Sequence, residues 1–253
     1  MIAEPPRQPR AAARMLIICA VWMIGFVSLL TIAVNGDETS TPDDRAIIRM
    51  IGGLLIIWVV IGGSLQRWQR DRFVRWLRRF LPGGWRTQFV IGCIIFALLE
   101  EAVTTAMTNL GPAFGAATGA AHITASTNYF EVVLLNSVIV FVPMFITWAW
   151  LLARYDFRPA EVMLLYGLTG TLAETISFGP LNLVNVGMWV YVYGLIVYLP
   201  ARAVTTDPAV RPAIRNTRRV RWRHWPLAIV LPIVMTIPWI PVVLLMRAAA
   251  KIL

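Results

Sequence analysis

Three glutamates stand in segments that are otherwise apolar, and their carboxyl groups are the side chains of this sequence best placed to do chemistry. Glu100 and Glu101 are adjacent, and Glu174 stands in a second apolar segment further along the chain. A charge in the hydrocarbon of a bilayer costs about 2.5 to 3.5 kcal/mol on insertion scales, so such groups usually face a bundle interior or a wet cavity. In protonated form they could carry a proton or act as a general acid. We predict that these glutamates bind a proton or a cation.

Polar side chains accompany the glutamates at helical spacing. Threonines follow Glu101 at positions i+3, i+4 and i+7, which places them on the same helix face as its carboxyl. Glu100 is turned by about 100° from that face. Asn136 stands on another apolar segment, roughly 10 Å along it, and could enter the same site. The predicted polar lining consists of Thr104, Thr108, Asn109 and Asn136.

The elements that must position these residues are membrane helices. The 253 residues are 58% hydrophobic and 14% charged, with a mean hydropathy of +0.68, whereas a soluble domain carries about 25% charged residues. Several apolar runs reach the length of a membrane helix. We predict an all-α polytopic membrane protein with a single transmembrane domain over residues 1–253 and seven spans, at about 15–34, 46–66, 87–109, 129–153, 160–178, 181–201 and 226–246.

The first apolar run resembles a signal peptide, and the last one contains three prolines, so each needs separate interpretation. The first apolar run is about 20 residues long, above the 7 to 15 of a signal-peptide core, so we expect an uncleaved helix. In the last span, Pro232, Pro238 and Pro241 predict a kink.

The net charge of +10 is concentrated in arginine blocks beside the apolar runs. This distribution follows the positive-inside rule, so we expect no nucleic-acid partner. The acidic segment 35–45 is then outside, and the basic segments 67–86 and 202–225 are inside. We predict a cell-membrane protein with a cytoplasmic N-terminus and an external C-terminus, facing an anionic inner leaflet.

Residues 67–80 combine arginines with apolar residues at positions i, i+3, i+4 and i+7, beginning at Phe73. This pattern is typical of an amphipathic helix that lies in the headgroup plane. The predicted membrane-surface residues are Arg70, Arg75, Trp76 and Arg79.

With this topology, the glutamates fall at similar depths. Glu100 lies about 20 Å from the inner end of its span, and Glu174 lies a similar distance along a span that runs in the same direction. We therefore expect the three carboxyl groups to converge in the outer half of the bilayer. The connection 110–128, rich in Gly, Ala and Thr, forms either a cap over the helix ends or a re-entrant segment.

The Glu100-Glu101 pair resembles the first motif, Glu-Glu-x-x-x-Arg, of the CAAX-protease and bacteriocin-processing membrane family. That resemblance would imply an intramembrane hydrolase with one of these glutamates as general base and with histidines on later spans. Thr105 stands at the arginine position of the motif. The two histidines, His122 and His224, lie in connections rather than in predicted spans.

Three functions fit the sequence, and whether the protein is an enzyme stays open. The leading hypothesis is a cation- or proton-linked permease; the others are the hydrolase and a non-catalytic membrane scaffold. No motif indicates a cofactor, and Cys19 and Cys93 fall within apolar runs, which favours neither a disulfide framework nor a cysteine metal site. A metal held by the three glutamates and His122 is conceivable, but no ligand spacing requires it.

Overall fold

The structure is a computed structural model that describes residues 10–81, 83–206 and 220–250. The predicted all-α class is confirmed, since no strand occurs in these ranges. Two short π-helical segments, Leu55–Gly62 and Val132–Asn136, interrupt the α-helices. The α-helices are α1 (Arg10–Gly36), α2 (Pro42–Leu54), α3 (Gly63–Phe80), α4 (Trp85–Asn109), α5 (Tyr129–Glu131), α6 (Val138–Arg154), α7 (Pro159–Phe178), α8 (Val186–Thr205), α9 (Trp225–Val234) and α10 (Ile240–Ala250).

Five helical stretches among the described residues are long and apolar enough to cross a membrane, which indicates a membrane-embedded protein. A sixth results if the bent pair Tyr129–Asn136 and Val138–Arg154, which meet at 47°, is counted as one span. The predicted count of seven is not confirmed. Helix α7, the predicted fifth span, forms, but its glycines, threonines and two glutamates lower its hydropathy. The five stretches are Ala11–Gly36, Pro42–Leu77, Trp85–Asn109, Val186–Thr205 and Trp222–Ala250.

The structure does not show the separate interfacial helix predicted over 67–80. Instead, α2, the first π-helical segment and α3 follow one another without a break, so the second span and the basic segment are one helix. The segment contains no Gly or Pro between 64 and 80 that would end it. Part of its apolar side packs on the protein: Leu77 is buried, and the rings of Phe73 and Phe96 lie 5.1 Å apart, whereas Phe80 is exposed. The side chains of Arg70, Arg75, Trp76 and Arg79 are exposed. Most of the basic segment 202–225, which was predicted to lie inside, falls outside the described residues, since these do not include 207–219.

Helices α7 and α8 form the most extensive helix pair in the described part of the chain, and α4 packs against α8 and α6. Glycines allow the close approach of α7 and α8. A Cβ atom on Gly167 would lie 2.5 Å from the Val190 Cα, and one on Gly194 would lie 2.7 Å from the Met163 carbonyl oxygen. Backbones can approach this closely only where the side chain is absent, which is how small residues pack membrane helices.

The connection 110–128 forms a hydrogen-bonded cap on the end of α4, as the first of the two sequence interpretations predicts. The Asn109 side chain donates to the Thr127 carbonyl oxygen at 3.0 Å. Arg49 of α2 donates to the Phe114 carbonyl oxygen at 2.6 Å. These two bonds hold the connection against α4 and α2.

The last span is not a single regular α-helix. Helix α9 ends at Val234, and a turn leads into the short 3₁₀ helix Ile237–Trp239 before α10 begins. Pro238 lies in that 3₁₀ helix, where a missing amide hydrogen is tolerated better than in the middle of an α-helix.

Candidate carboxylate site

Glu100 and Glu101 both lie inside the helix bundle, although adjacent residues of a helix point in directions about 100° apart. Only 4% of Glu100 and 7% of Glu101 is exposed. Both directions are covered because α4 packs against α8 and also against α6.

Glu174 of α7 completes a group of three carboxyls. It interacts electrostatically with both Glu100 and Glu101. Glu100 lies about 22 Å along α4 from its first residue, and Glu174 lies the same distance along α7. The structure thus brings together the three glutamates that the sequence singles out, from two different helices.

A tyrosine on α8 connects directly to this group. The Tyr193 hydroxyl donates a hydrogen bond to Oε1 of Glu174. Its ring lies against Gly170 of α7, where a side chain would collide with it, and it stacks on Trp189 with the centroids 5.5 Å apart. Sequence reasoning missed Tyr193 as a site residue. The sequence feature that could have identified it is a tyrosine within an apolar run, since a buried tyrosine hydroxyl usually needs a hydrogen-bond partner.

Two hydroxyl groups interact with the Glu101 carboxyl. The Thr104 Oγ1 lies 3.2 Å from the Glu101 Oε2 and also 3.2 Å from the backbone oxygen of Glu100, as its predicted place on the Glu101 face requires. The second is that of Ser137, which acts on the Glu101 carboxyl and also donates to the Val132 carbonyl oxygen at 3.2 Å. Ser137 was not predicted. It stands where the second π-helical segment meets α6, so the break in that helix brings it towards α4.

Two further hydroxyls in this region have no hydrogen-bond partner among the described residues, those of Thr105 on α4 and Tyr166 on α7. Tyr166 is 1% exposed and interacts electrostatically with Glu100 and with Cys93. Neither was predicted as a site residue. Buried polar groups are normally hydrogen-bonded, so each such exception in a folded protein calls for an explanation.

The other residues of the predicted polar lining make different contacts. The Thr108 Oγ1 accepts from the Ile123 amide at 3.2 Å and, like Asn109, holds the cap of α4. Asn136 accepts at Oδ1 a hydrogen bond of 2.7 Å from Arg247 of α10 and donates to the Glu131 carbonyl oxygen. Thr108, Asn109 and Asn136 therefore fasten elements beside the site.

Among the residues that the structure describes, no salt bridge joins any of the three carboxyls to a cation. The charges that act most strongly on Glu100 are those of Glu101 and Glu174, which have the same sign. His122 is exposed, and its Nε2 lies 2.9 Å from the Gly119 carbonyl oxygen. Within the described ranges, no group of three or more His, Cys, Asp and Glu side chains is arranged to hold a metal ion.

This arrangement constrains what the site can do. Burial of several unpaired carboxylates is far costlier than burial of neutral carboxylic acids, so such groups take up a proton or a cation. The surrounding hydroxyls can donate to whichever carboxylate is ionised. Reversible uptake and release of a small positive charge is the chemistry that these groups supply.

No protein-family model, no curated protein and no solved structure matches this chain. The inference about function therefore rests on the geometry of the carboxylates and their hydroxyl partners.

Proposed function

We propose that this protein is a multi-pass membrane permease that moves a proton or a small cation by way of Glu100, Glu101 and Glu174. The observation that carries the proposal is the electrostatic interaction of these three carboxyls, from α4 and α7, with Glu100 and Glu101 buried and Glu174 half-buried in an apolar helix bundle. Intramembrane acidic residues facing a bundle interior are typical of ion pathways and proton relays. The hydroxyls of Tyr193, Thr104 and Ser137 provide adjustable hydrogen bonds to the acids.

The proposal includes seven spans, with α7 as the enclosed fifth span. Helix α7 can be less apolar than the other helices because protein rather than lipid covers much of it; its residues from Val162 to Gly167 are all buried. The proposed orientation places the N-terminus in the cytoplasm and the arginine-rich end of α3, together with Arg154 at the end of α6, at an anionic inner leaflet. The C-terminus then lies outside, and the site lies in the outer half of the bilayer.

Ion flux in reconstituted liposomes tests this function. We expect the purified wild-type protein to pass protons or cations down an imposed gradient and Glu101→Gln to lose most of that flux. Glu131→Gln provides the matched control, since Glu131 is an exposed acid that accepts a hydrogen bond from Ser126. Equal flux in wild type and Glu101→Gln would overturn the proposal. If wild type moves no ion and the glutamate variants change only stability, the carboxyls are structural contacts of a membrane scaffold.

The hydrolase hypothesis receives less support from the site. A hydrolase would need a second group near the carboxyls to help activate water. His122, the histidine nearest in sequence, is exposed and held by the Gly119 carbonyl oxygen. The arginine of the family motif is replaced by Thr105, whose buried hydroxyl has no partner among the described residues. We therefore propose ion movement rather than hydrolysis.

A further inference from the structure

The Tyr166 hydroxyl is buried with no hydrogen-bond partner in the described residues, although buried tyrosines usually have one. Tyr166 is enclosed in the bundle, and its ring lies 5.7 Å from that of Phe145 on α6. A phenylalanine would fill the same space without burying an unsatisfied oxygen. The hydroxyl therefore calls for a partner in another state of the site.

The surroundings of this hydroxyl identify that partner. Two groups of α4 interact with it electrostatically, the Cys93 thiol and the Glu100 carboxyl. A thiol is a weak hydrogen-bond acceptor, whereas an ionised carboxylate is a strong one. Tyr166 lies about 12 Å before Glu174 on α7, and both residues interact with Glu100.

The groups around the carboxyls also indicate which ion the site holds. A metal cation requires several oxygen lone pairs that converge on one point, and in the described ranges no group of three or more His, Cys, Asp and Glu side chains is arranged in this way. The hydroxyl that contacts Glu174, that of Tyr193, points its hydrogen at the carboxylate oxygen. A proton needs only one carboxyl oxygen, and neighbouring hydroxyls can then stabilise whichever carboxyl has released it.

We infer that the ion held at this site is a proton and that Tyr166 is a further residue of the site, donating a hydrogen bond to Glu100 when that carboxyl is ionised. The inference deepens the proposed permease function and rests on it for the direction of proton movement. Tyr166 binds no proton of its own in this scheme. It stabilises the state of Glu100 that exists between release of one proton and arrival of the next.

Infrared difference spectroscopy on the full chain in liposomes, between acidic and alkaline buffers, tests the binding step. We expect a carboxylate stretching band, present in the alkaline buffer, that Glu100→Gln removes and that Tyr166→Phe shifts in frequency, because the hydroxyl bonds only to the ionised carboxyl. Tyr191→Phe is the matched control, because the Tyr191 hydroxyl of α8 donates instead to the Leu16 carbonyl oxygen, at 2.9 Å. Thermal unfolding of both variants shows whether they remain folded. A band unchanged in folded Tyr166→Phe overturns the role of Tyr166.

Flux measurements separate this inference from the proposed function. Proton flux in Tyr166→Phe should fall about 10- to 100-fold, the factor expected for a lost hydrogen bond to a charged group. If sodium or potassium moves without protons and Glu101→Gln abolishes that movement, the proton assignment fails while the permease function stands. If no ion moves but the band is present and shifts in Tyr166→Phe, the proton site stands and the permease function fails.

Discussion

Tyr193 of α8 donates its hydroxyl hydrogen to Glu174 of α7, and the position of Gly170 makes this contact possible. Gly170 precedes Glu174 by four residues, so the two lie on one face of α7. The tyrosine ring rests on the glycine while its hydroxyl reaches the carboxyl one turn further along. A close helix contact and a site contact thus depend on the same side chain.

Tyr193→Phe should separate the two roles of that residue. It keeps the ring that packs on Gly170 and removes the donor to Glu174, so we expect the protein to fold and its ion flux to fall about tenfold. The measurement is flux in liposomes against wild type. Tyr191→Phe, which removes a hydroxyl of the same helix that bonds to Leu16, should keep wild-type flux. A loss of similar size in both variants would contradict a specific role for Tyr193.

Gly170→Ala should destabilise the protein. A Cβ atom there would lie 2.9 Å from the Tyr193 Cβ and still nearer to its ring, and overpacking of this kind costs about 1 to 3 kcal/mol. Thermal unfolding in detergent measures the change. Gly52→Ala is the control, because a Cβ on Gly52 of α2 would meet nothing within 4 Å; there alanine should be neutral or stabilise by about 0.5 to 1 kcal/mol. Equal melting temperatures for the two variants would contradict the close contact.

Arg247→Ala should loosen the break that precedes α6. Arg247 donates to the Leu135 carbonyl oxygen and to the Asn136 side chain, both at 2.7 Å. Loss of these bonds should raise hydrogen exchange at the amides of Ser137 and Val138 about tenfold. Leu245→Ala, an exposed position of the same helix, should leave that exchange unchanged. Unaltered exchange in Arg247→Ala would mean that the break is held by its own helix.

Asp37 should make the connection between α1 and α2 sensitive to acid. Hydrogen bonds from the Thr39 hydroxyl at 2.7 Å and the Thr39 amide at 2.8 Å, with a smaller contribution from Arg45, lower the pKa of Asp37 below its ordinary value of 3.8. A carboxyl with a lowered pKa stabilises the folded loop above its ordinary pKa, and this stabilisation is lost as the pH falls through the folded value.

The expected result is that hydrogen-exchange protection of the Thr39 amide is full near neutral pH and is lost only as the pH falls below 3.8, the ordinary pKa of the carboxyl. Asp37→Asn should weaken that protection at neutral pH, because an amide oxygen is a poorer acceptor than a carboxylate. Glu38→Gln changes the neighbouring exposed acid and serves as control. Protection that does not vary with pH in wild type would contradict the role of Asp37.

Much of the helix content could be predicted from apolar run lengths, because a chain in hydrocarbon must satisfy its backbone hydrogen bonds within the helix. The helix boundaries were harder to predict from the sequence. The basic segment 67–80 has the pattern of a separate surface helix, but only the packing of Phe73 and Leu77 on the bundle shows that it continues α2. Hydropathy also identifies α7 poorly, because its burial depends on neighbours that are distant in sequence.

For the site, the sequence by itself determined which acids are anomalous, since Glu100, Glu101 and Glu174 are conspicuous in any apolar run. It also placed Thr104 beside Glu101, because helical spacing is a local property. Only the tertiary structure decided that Tyr193, Tyr166 and Ser137 surround these acids and that Asn136 bonds instead to Arg247. Those contacts depend on which helices are neighbours and how each is rotated, and helix packing rather than local periodicity sets both.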